Sequence, residues 1–325
     1  MTTTKPPETS YGIGETKQLT GRVASLLGQI PTWVLWFFVV VWTIPTLGLF
    51  INSFRTRDAQ RNSGWWMFWQ DGANGYGSLT LDNYSDVLGT SATGGLANGL
   101  LNSMAIAVVA TILPIAIAAF AAYAFAWIDF KGRDTLFIAT VALLAVPSQV
   151  ALIPLLQMYA GGAHLTLPLI DKTITVFPDL GLAGTIPAVW LTHTGFALPF
   201  AIFLLHNYIS GLPRDLFESA RIDGADHFTI FRKLVLPLSI PVLAAFTIFQ
   251  FLWTWNDYLI ALTMIGGNRQ ALPATVVIAS LAGEFGRLEH LLTAGAFVIT
   301  VVPLVVFFAL QRFFVRGITA GSVKG

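Results

Sequence analysis

Six long stretches of this chain contain no charged residue, and they constrain its fold more than any other feature. Asp, Glu, Lys and Arg are absent from residues 23–54, 87–128, 135–170, 180–213, 234–256 and 290–311. A helix that crosses a bilayer needs about 20 predominantly apolar residues. Each stretch is long enough for one such helix, and none holds two helices with a polar turn between them. The sequence therefore predicts six membrane spans, near residues 32–53, 100–127, 135–159, 184–209, 238–262 and 291–313.

The composition excludes several classes of protein. Hydrophobic residues make up 55% of the chain and charged residues only 11%, so a soluble globular protein could not cover its surface with polar groups. The net charge of +1 argues against a nucleic-acid partner. Cysteine is absent, and His193 and His206 have no second ligand at metal spacing, so we expect no metal site and treat both histidines as packing residues. The expected fold is an all-α integral membrane protein surrounded by lipid.

The distribution of Lys and Arg predicts the orientation of the spans. With the N-terminus inside, 12 of these residues lie in inside segments and 6 in outside loops, as the positive-inside rule requires. Arg55, Arg57 and Arg61 oppose this trend, because they follow the first span on its outer side. The later loops decide in favour of two cytoplasmic termini. The predicted domains are a polar N-terminal tail, a membrane domain and a C-terminal tail, at residues 1–31, 32–315 and 316–325.

Every predicted span contains proline. The residues are Pro45, Pro114, Pro147, Pro154, Pro187, Pro199, Pro241 and Pro303. A proline removes one helix hydrogen bond and can kink the helix. In hydrocarbon the freed carbonyl must find a protein or water partner. The kinks suit a bundle around a cavity that changes shape, although proline is also commoner in membrane helices than in soluble ones.

Asp257 is the one carboxylate that falls within a predicted span. A charge near the middle of a bilayer costs about 2.5–3.5 kcal/mol on insertion scales, so Asp257 should face the bundle interior, water or a partner chain. In one interpretation it lines a substrate route together with Trp253, Trp255, Asn256 and Tyr258. In the other it caps or pairs with a neighbouring helix near the outer end of the span.

The loop at residues 210–237, between the fourth and fifth spans, has the local signals of two short helices. Pro213 suits a first helical position, Gly224 the end of that helix, and Asp226 the N-cap of the next. Pro237 would let the chain turn into the fifth span. The predicted apolar side of the first helix consists of Leu216, Phe217, Ala220 and Ile222, and its polar side of Arg214, Asp215, Glu218 and Arg221. Such a pair of helices could form a protruding surface that binds another protein, or it could be an ordinary amphipathic interfacial loop.

This loop resembles the EAA loop of ABC importer permeases, whose pattern is Glu-Ala-Ala, three residues, Gly, nine residues and Ile-x-Leu-Pro. Glu218-Ser219-Ala220 is followed at both spacings by Gly224 and by Leu234-Val235-Leu236-Pro237, with Ser219 and Leu234 as mild departures. Asp223 and the stretch Trp255-Asn256-Asp257-Tyr258 are similar to the carbohydrate branch of the family. The tail 317–325 looks like that of the smaller, MalG-like permease of maltose-type systems. The N-terminal extension and the long outer loop at 160–180 depart from the family pattern.

The resemblance implies a six-helix type I importer permease in a bacterial or archaeal cytoplasmic membrane. Its implied partners are a second, MalF-like permease, a dimer of ATPase subunits and an extracytoplasmic solute-binding protein that delivers a sugar. An α-glucoside is one candidate, and polyols, glycerol phosphates and other oligosaccharides are others. ATP and Mg would bind the ATPase subunits, and this chain, which lacks a P-loop sequence, would bind no cofactor and would not be an enzyme.

The resemblance also assigns roles to residues of the loop and the tail. The expected ATPase-coupling residues are Glu218, Ser219, Ala220, Asp223, Gly224, Leu234, Leu236 and Pro237. The expected ATPase-contacting residues of the tail are Gly317, Thr319, Gly321, Lys324 and Gly325. In the family the glutamate, here Glu218, pairs with a basic residue of the ATPase.

Two other functions would require different sequence features. A self-contained secondary carrier or channel would favour internal repeats and several ion-coupling groups within the spans. An integral membrane enzyme would need a cluster of acids, histidines or nucleophile–base pairs. The sequence has no convincing repeat, one carboxylate within the spans and five scattered histidines. It therefore favours the ABC importer permease, with the secondary carrier or channel as the alternative.

Overall fold

The computed structural model describes residues 31–89, 95–167, 172–282 and 288–322. The described helices are α1 (Thr32–Ser53), α2 (Arg57–Asn62), α3 (Asp82–Leu88), α4 (Leu96–Trp127), α5 (Arg133–Ala142), α6 (Ser148–Gly161), α7 (Ile186–Ser210), α8 (Arg214–Ile222), α9 (His227–Ile230), α10 (Leu236–Leu238), α11 (Ile240–Trp255), α12 (Leu259–Ile265), α13 (Ala274–Ala282) and α14 (Glu289–Ser322). A π-helical turn at Phe231–Val235 joins α9 to α10, and short 3₁₀ turns follow α2, α5 and α12. The two described strands, β1 (Ala163–Leu167) and β2 (Lys172–Phe177), pair antiparallel.

The prediction of an all-α protein with six spans is confirmed when each bent helix pair is counted as one span. Within the described residues, α1, α4, α7 and α14 are single helices long and apolar enough to cross a membrane. The third span is α5 followed by α6, with a bend of 104° between them. The fifth runs from α9 through α10 into α11, with a bend of 71°. We call the end of the bundle that carries the EAA loop (residues 210–237) the EAA end, and the opposite end the far end.

The prediction of the third and fifth spans as single helices at 135–159 and 238–262 was wrong. Val146 is extended at φ −81° and ψ 118°, because the ring of Pro147 disfavours helical geometry in the residue before it. The fifth span ends at Trp255 and not at residue 262, since a new helix, α12, starts at Leu259. The prediction also missed the hairpin β1–β2 in the long loop at 160–180.

Small residues bring α4 and α7 into close contact at the centre of the bundle. Ala118 and Ala122 of α4 are fully buried in one cluster with Ala201 of α7. Small side chains let two helix backbones approach closely, which is how helices commonly pack in membranes. By contrast, α1 lies at the periphery and packs against α14, and its Trp42 is 84% exposed. The centre of the fold is therefore the α4–α7 pair, with α11 packed against both.

The carbonyl that the internal proline of α4 leaves without a donor is bound by a side chain from α11. Pro114 has no N–H, so the carbonyl of Ala110 loses its usual helix donor. Gln250, which is only 1% exposed, donates its Nε2 to that carbonyl oxygen at 3.1 Å. Pro187 and Pro241 lie instead in the first turns of α7 and α11, where a missing N–H breaks no helix bond. The freed carbonyl in α4 thus has the protein partner that a membrane requires.

We expect the Gln250→Leu variant to be destabilised by about 1–3 kcal/mol, the cost of leaving a buried polar group without its hydrogen bond. Thermal unfolding of the detergent-solubilised protein measures this effect. Gln157→Leu is the matched control, because Gln157 is exposed on α6. Equal stability of the two variants would show that the bond between Gln250 and Ala110 contributes nothing.

The far-end loop between α1 and α3 is built around a buried ion pair. Arg55 is 1% exposed, and its Nε and Nη2 donate to Asp71 Oδ2 and Oδ1 at 2.7 and 3.0 Å. Its Nη1 also donates to Asn52 Oδ1 at 3.0 Å, and its Nη2 to the Ala59 carbonyl at 3.0 Å. The hydrogen bond from Arg55 is the main reason that the pKa of the Asp71 carboxyl lies below its ordinary value of 3.8. Arg55, which opposed the predicted orientation, therefore has a structural role in this loop.

Asn83 of α3 ties this loop to the end of the first span. Its Nδ2 donates to the carbonyls of Ser53 and Arg55 at 2.9 and 2.8 Å. The Ser53 hydroxyl and the Tyr84 hydroxyl lie 2.7 Å apart. Because α3 also packs against α14, the loop joins the far ends of the first and sixth spans.

Candidate coupling site

The first helix of the EAA loop, α8, ends in a Schellman motif at Gly224. The N–H of Gly224 donates to the Arg221 carbonyl at 3.0 Å, and the N–H of Ala225 donates to the Ala220 carbonyl at 2.9 Å. Gly224 has φ +80°, a left-handed conformation that glycine adopts at little cost. A Cβ at this position would meet no atom of the described residues within 4 Å. The glycine is therefore required by the backbone turn, and the space around it is open to a partner.

The second helix of the loop begins at the predicted cap and runs straight into the fifth span. The Thr229 N–H donates to Asp226 Oδ1 at 2.8 Å, and hydrogen bonding to Thr229 lowers the pKa of the Asp226 carboxyl. From there the chain stays helical through Pro237, which lies in the first turn of α10. The bend into α11 falls at Ser239, two residues later than predicted. Leu234 and Leu236 are half-buried against the core cluster.

An aromatic stack fixes α8 to the membrane helices. Phe217 is 2% exposed, and its ring stacks on Trp127, the last residue of α4, with centroids 3.6 Å apart and an interplanar angle of 13°. The indole N–H of Trp127 donates to the Ile209 carbonyl at the end of α7 at 3.2 Å. The second helix is also attached to α4, because the Tyr123 hydroxyl lies 2.9 Å from His227 Nδ1. Both helices of the loop are thus bound to the central helix pair.

The predicted apolar side of α8 was partly wrong. Phe217 and Ala220 face the bundle, but Ile222 is 86% exposed and Leu216 is 41% exposed. Ile222 follows Phe217 by five residues, which places it about 140° further round the helix. The outer surface of the loop therefore carries apolar side chains beside the exposed Glu218.

Several predicted coupling residues lie together on that outer surface. Glu218, Ser219, Asp223 and Gly224 are exposed, and Ala220 is half-buried. Glu218 also lines a groove of about 460 Å³ with three arginines, Arg133, Arg214 and Arg221. In the part of the chain that the structure describes, Glu218 forms no ion pair. Its carboxylate is therefore available to a basic group on another protein.

Asp257 starts a new helix at the far end of the fifth span. Its Oδ1 and Oδ2 accept the backbone N–H groups of Ile260 and Ala261 at 3.3 and 2.9 Å. Its Oδ2 also lies 3.5 Å from Nε2 of His193, a fully buried residue of α7. The Asp257 side chain is 12% exposed. These contacts correspond to the second interpretation drawn from the sequence, in which Asp257 caps and pairs with a neighbouring helix.

The five residues predicted to line a substrate route do not form one surface. Trp253 lines a cavity in the membrane region and lies edge-on to His193, with ring centroids 5.3 Å apart. Trp255 is 2% exposed and stacks on Phe251, in a cluster packed against α14. The exposed Asn256 donates to the carbonyl of Leu252 at 2.8 Å, and Tyr258 is 43% exposed. Of the predicted tail contacts, Gly317, Thr319 and Gly321 fall within α14, whereas Lys324 and Gly325 lie outside the described residues.

Comparisons with known proteins identify the family. Residues 114–320 match the family described as "Binding-protein-dependent transport system inner membrane component". The chain is 51% identical over 285 residues to the osmoprotective compounds uptake permease protein GgtD of Synechocystis sp., covering 87% of this chain and 88% of that protein. It is 52% identical over 248 residues to the alpha-glucoside transport system permease protein AglG of Rhizobium meliloti, covering 76% and 61%. This chain belongs to the binding-protein-dependent transport system inner membrane components.

A solved structure agrees with the fold of this permease. A chain of a bacterial ABC transporter involved in the import of alginate superposes with a TM-score of 0.65 at 18% identity, covering 95% of this chain and all of that one. The segment of the permease that matches the family begins at Pro114, so it contains the EAA loop, the cavity and most of α14. The Arg55–Asp71 loop lies before that segment. The protein is thus a multi-pass membrane transport subunit, as the EAA spacing predicted.

Proposed function

We propose that this permease imports an α-glucoside or a related polyol as part of an ABC importer. The observation that carries the proposal is the structure of the EAA loop. Its Phe217 is buried against Trp127, whereas its Glu218 is exposed and forms no ion pair among the described residues. A loop built this way binds firmly to its own bundle and leaves a charged, partly apolar face for another protein. The names of the related permeases, for osmoprotective compounds and for alpha-glucosides, support the substrate class.

In this proposal the partners are a MalF-like permease, a dimer of ATPase subunits and an extracytoplasmic binding protein. The EAA end faces the cytoplasm, both termini are cytoplasmic, and α8 occupies a cleft on one ATPase subunit. ATP and Mg bind the ATPase subunits, and this chain supplies no catalytic group. When the ATPase subunits close, α8 moves with them, and the stack of Phe217 on Trp127 passes the movement to α4 and α7.

We expect the Glu218→Ala and Gly224→Asp variants to assemble in the membrane and to lose coupling to the ATPase. Breaking a charge pair at a desolvated interface costs about 2–5 kcal/mol, mostly because the partner charge is left unpaired. The Asp side chain at position 224 would strain the left-handed turn and would enter space that the described residues leave open. The measurement is binding-protein-stimulated ATPase activity of the complex in liposomes, with Asp215→Ala on the same helix as control. Full stimulation in both variants would contradict the assignment of the loop.

Uptake by the same liposomes tests the substrate class. We expect labelled trehalose or sucrose, both α-glucosides, to accumulate only with ATP, the binding protein and all the subunits present. Accumulation driven by an ion gradient with this chain alone would favour the secondary carrier instead.

A further inference from the structure

A cavity opens where the bent third span meets α7 and α11. Its volume is about 690 Å³, within the range of about 300–1,000 Å³ that is usual for ligand sites. Most of its lining is apolar, as in many ligand sites, with a few polar groups among Leu, Val and Pro side chains. In membrane transporters, substrate sites commonly form where a helix is interrupted. The break between α5 and α6 places such an interruption at this cavity.

The lining of the cavity supplies both hydrogen-bond donors and hydrogen-bond acceptors. Ser148 and Gln149 lie at the start of α6, where the first backbone N–H groups of a helix have no partner within it. Gly195 lies on α7, and its carbonyl lacks its usual helix donor because Pro199 has no N–H. Gly195 and Pro199 both line the cavity. The lining therefore includes donors from α6 and a backbone acceptor from α7.

Trp253 supplies an aromatic wall with a fixed orientation. It is half-buried between this cavity and a smaller one of about 240 Å³ that lies beside it. The ring of His193 meets the indole edge-on, at an interplanar angle of 86°. His193 is itself held next to Asp257, which caps α12. The flat apolar face of an indole suits the C–H face of a pyranose ring, whose hydroxyl groups then point sideways to polar groups.

We propose that this cavity is a sugar-binding subsite contributed by this subunit. One glucosyl unit stacks on Trp253, and its hydroxyl groups bond to Gln149 and to the carbonyl of Gly195. His193 and Asp257 are positioning residues, because they act through the orientation of Trp253. The proposal rests on the proposed function, from which the class of ligand is taken. The alternative occupants are an acyl chain of a lipid and a side chain of the partner permease. With either of them in the cavity, added sugar would not change the accessibility of the lining residues.

Cysteine labelling of the complete reconstituted transporter distinguishes these occupants. The chain has no native cysteine, so Ser148→Cys, at a lining position with no assigned sugar contact, gives a single reactive thiol in this subunit. We expect a water-soluble maleimide to label it, and the sugar that the wild-type complex imports, trehalose or sucrose, to slow labelling about tenfold. L-glucose, the control, should have no effect. Labelling by a lipid-soluble maleimide alone, or labelling that the imported sugar does not slow, would overturn the subsite.

A second variant fills the cavity without disturbing the fold. Within the described parts of the chain, a Cβ at Gly195 would meet no atom within 4 Å, so the side chain of Gly195→Leu has room to enter the cavity. We expect this variant to assemble and to lose about tenfold or more in sugar uptake. Gly161→Leu is the matched control, since Gly161 also has open space around it and does not line the cavity. Trp253→Ala should lose uptake to a similar extent, while Trp253→Phe, which keeps a ring, should retain most of it.

The outcomes separate this inference from the proposed function. If the wild-type complex imports neither α-glucoside, the proposed substrate class fails. If it imports one of them and both Gly195→Leu and Trp253→Ala transport it normally, the subsite alone fails.

Discussion

Replacing Phe217 with alanine should uncouple ATP hydrolysis from sugar uptake. Phe217 is 2% exposed and stacks on Trp127 at 3.6 Å, and truncation of a buried Phe to Ala costs about 3–5 kcal/mol. A helix as short as α8 has little stability of its own, so without the stack it should detach from α4 and α7. Its exposed face, including Glu218, would remain able to bind the ATPase.

The measurement compares ATPase activity with uptake in the same liposomes. We expect the variant to keep substantial ATPase activity and to transport at less than about a tenth of the wild-type rate, because a factor of ten corresponds to only about 1.4 kcal/mol. Phe308→Ala, at a position that is 61% exposed on α14, controls for loss of an aromatic side chain. A normal ratio of uptake to hydrolysis in the Phe217 variant would contradict the role of the stack.

Replacing Asp71 with asparagine should destabilise the far-end loop strongly. The variant leaves the guanidinium of Arg55 buried without its counter-charge, and breaking a buried pair in this way costs about 3–5 kcal/mol. Thermal unfolding in detergent and limited proteolysis of residues 54–88 measure the effect. Arg57→Ala is the control, since Arg57 is an exposed arginine two residues away. The double variant Arg55→Met with Asp71→Leu should recover much of the loss, because it leaves no unpaired charge.

The same ion pair predicts a pH dependence with a definite sign. The pKa of the Asp71 carboxyl is lowered in the folded protein, chiefly by the hydrogen bond from Arg55. Its contribution to stability is therefore complete above the ordinary value of 3.8 and is lost as the pH falls towards the lower folded pKa. Wild type should lose this contribution only below about pH 4, and Asp71→Asn should lack that part of the acid dependence. An identical acid profile for the two proteins would contradict the assignment.

The number of membrane spans was predictable from sequence because the evidence for each span lies within the residues of that span. Hydrocarbon requires long charge-free helices, so their number can be read along the chain without knowledge of contacts. The end of the fifth span was misplaced because a side chain starts a new helix there, as Asp257 does by accepting the N–H groups of Ile260 and Ala261. The hairpin was missed although Lys172–Phe177 has the alternation and the β-branched residues typical of a strand.

In the EAA loop, too, features set by neighbouring residues were predictable, and contacts between residues far apart in sequence were not. Gly224 and Asp226 were placed correctly from their own turn and cap preferences. Ile222 was misplaced because its apolar character was read without its angular position on the helix. Trp127 as the partner of Phe217 could not have been predicted, because the two residues are 90 positions apart and nothing local links them. The cavity beside Trp253 depends in the same way on the packing of three spans.

The bond between Gln250 and the Ala110 carbonyl has a consequence for how sequences of this family can change. Gln250 meets a need that Pro114 creates, since any other residue at position 114 would supply its own N–H to Ala110. We therefore expect the two positions to vary together among relatives, although they lie on different spans. A relative without proline at position 114 is free to replace the buried glutamine with an apolar residue, whereas a relative that keeps the proline is not. Losing the glutamine while the proline remains would leave the Ala110 carbonyl without a donor, at a cost of about 1–3 kcal/mol.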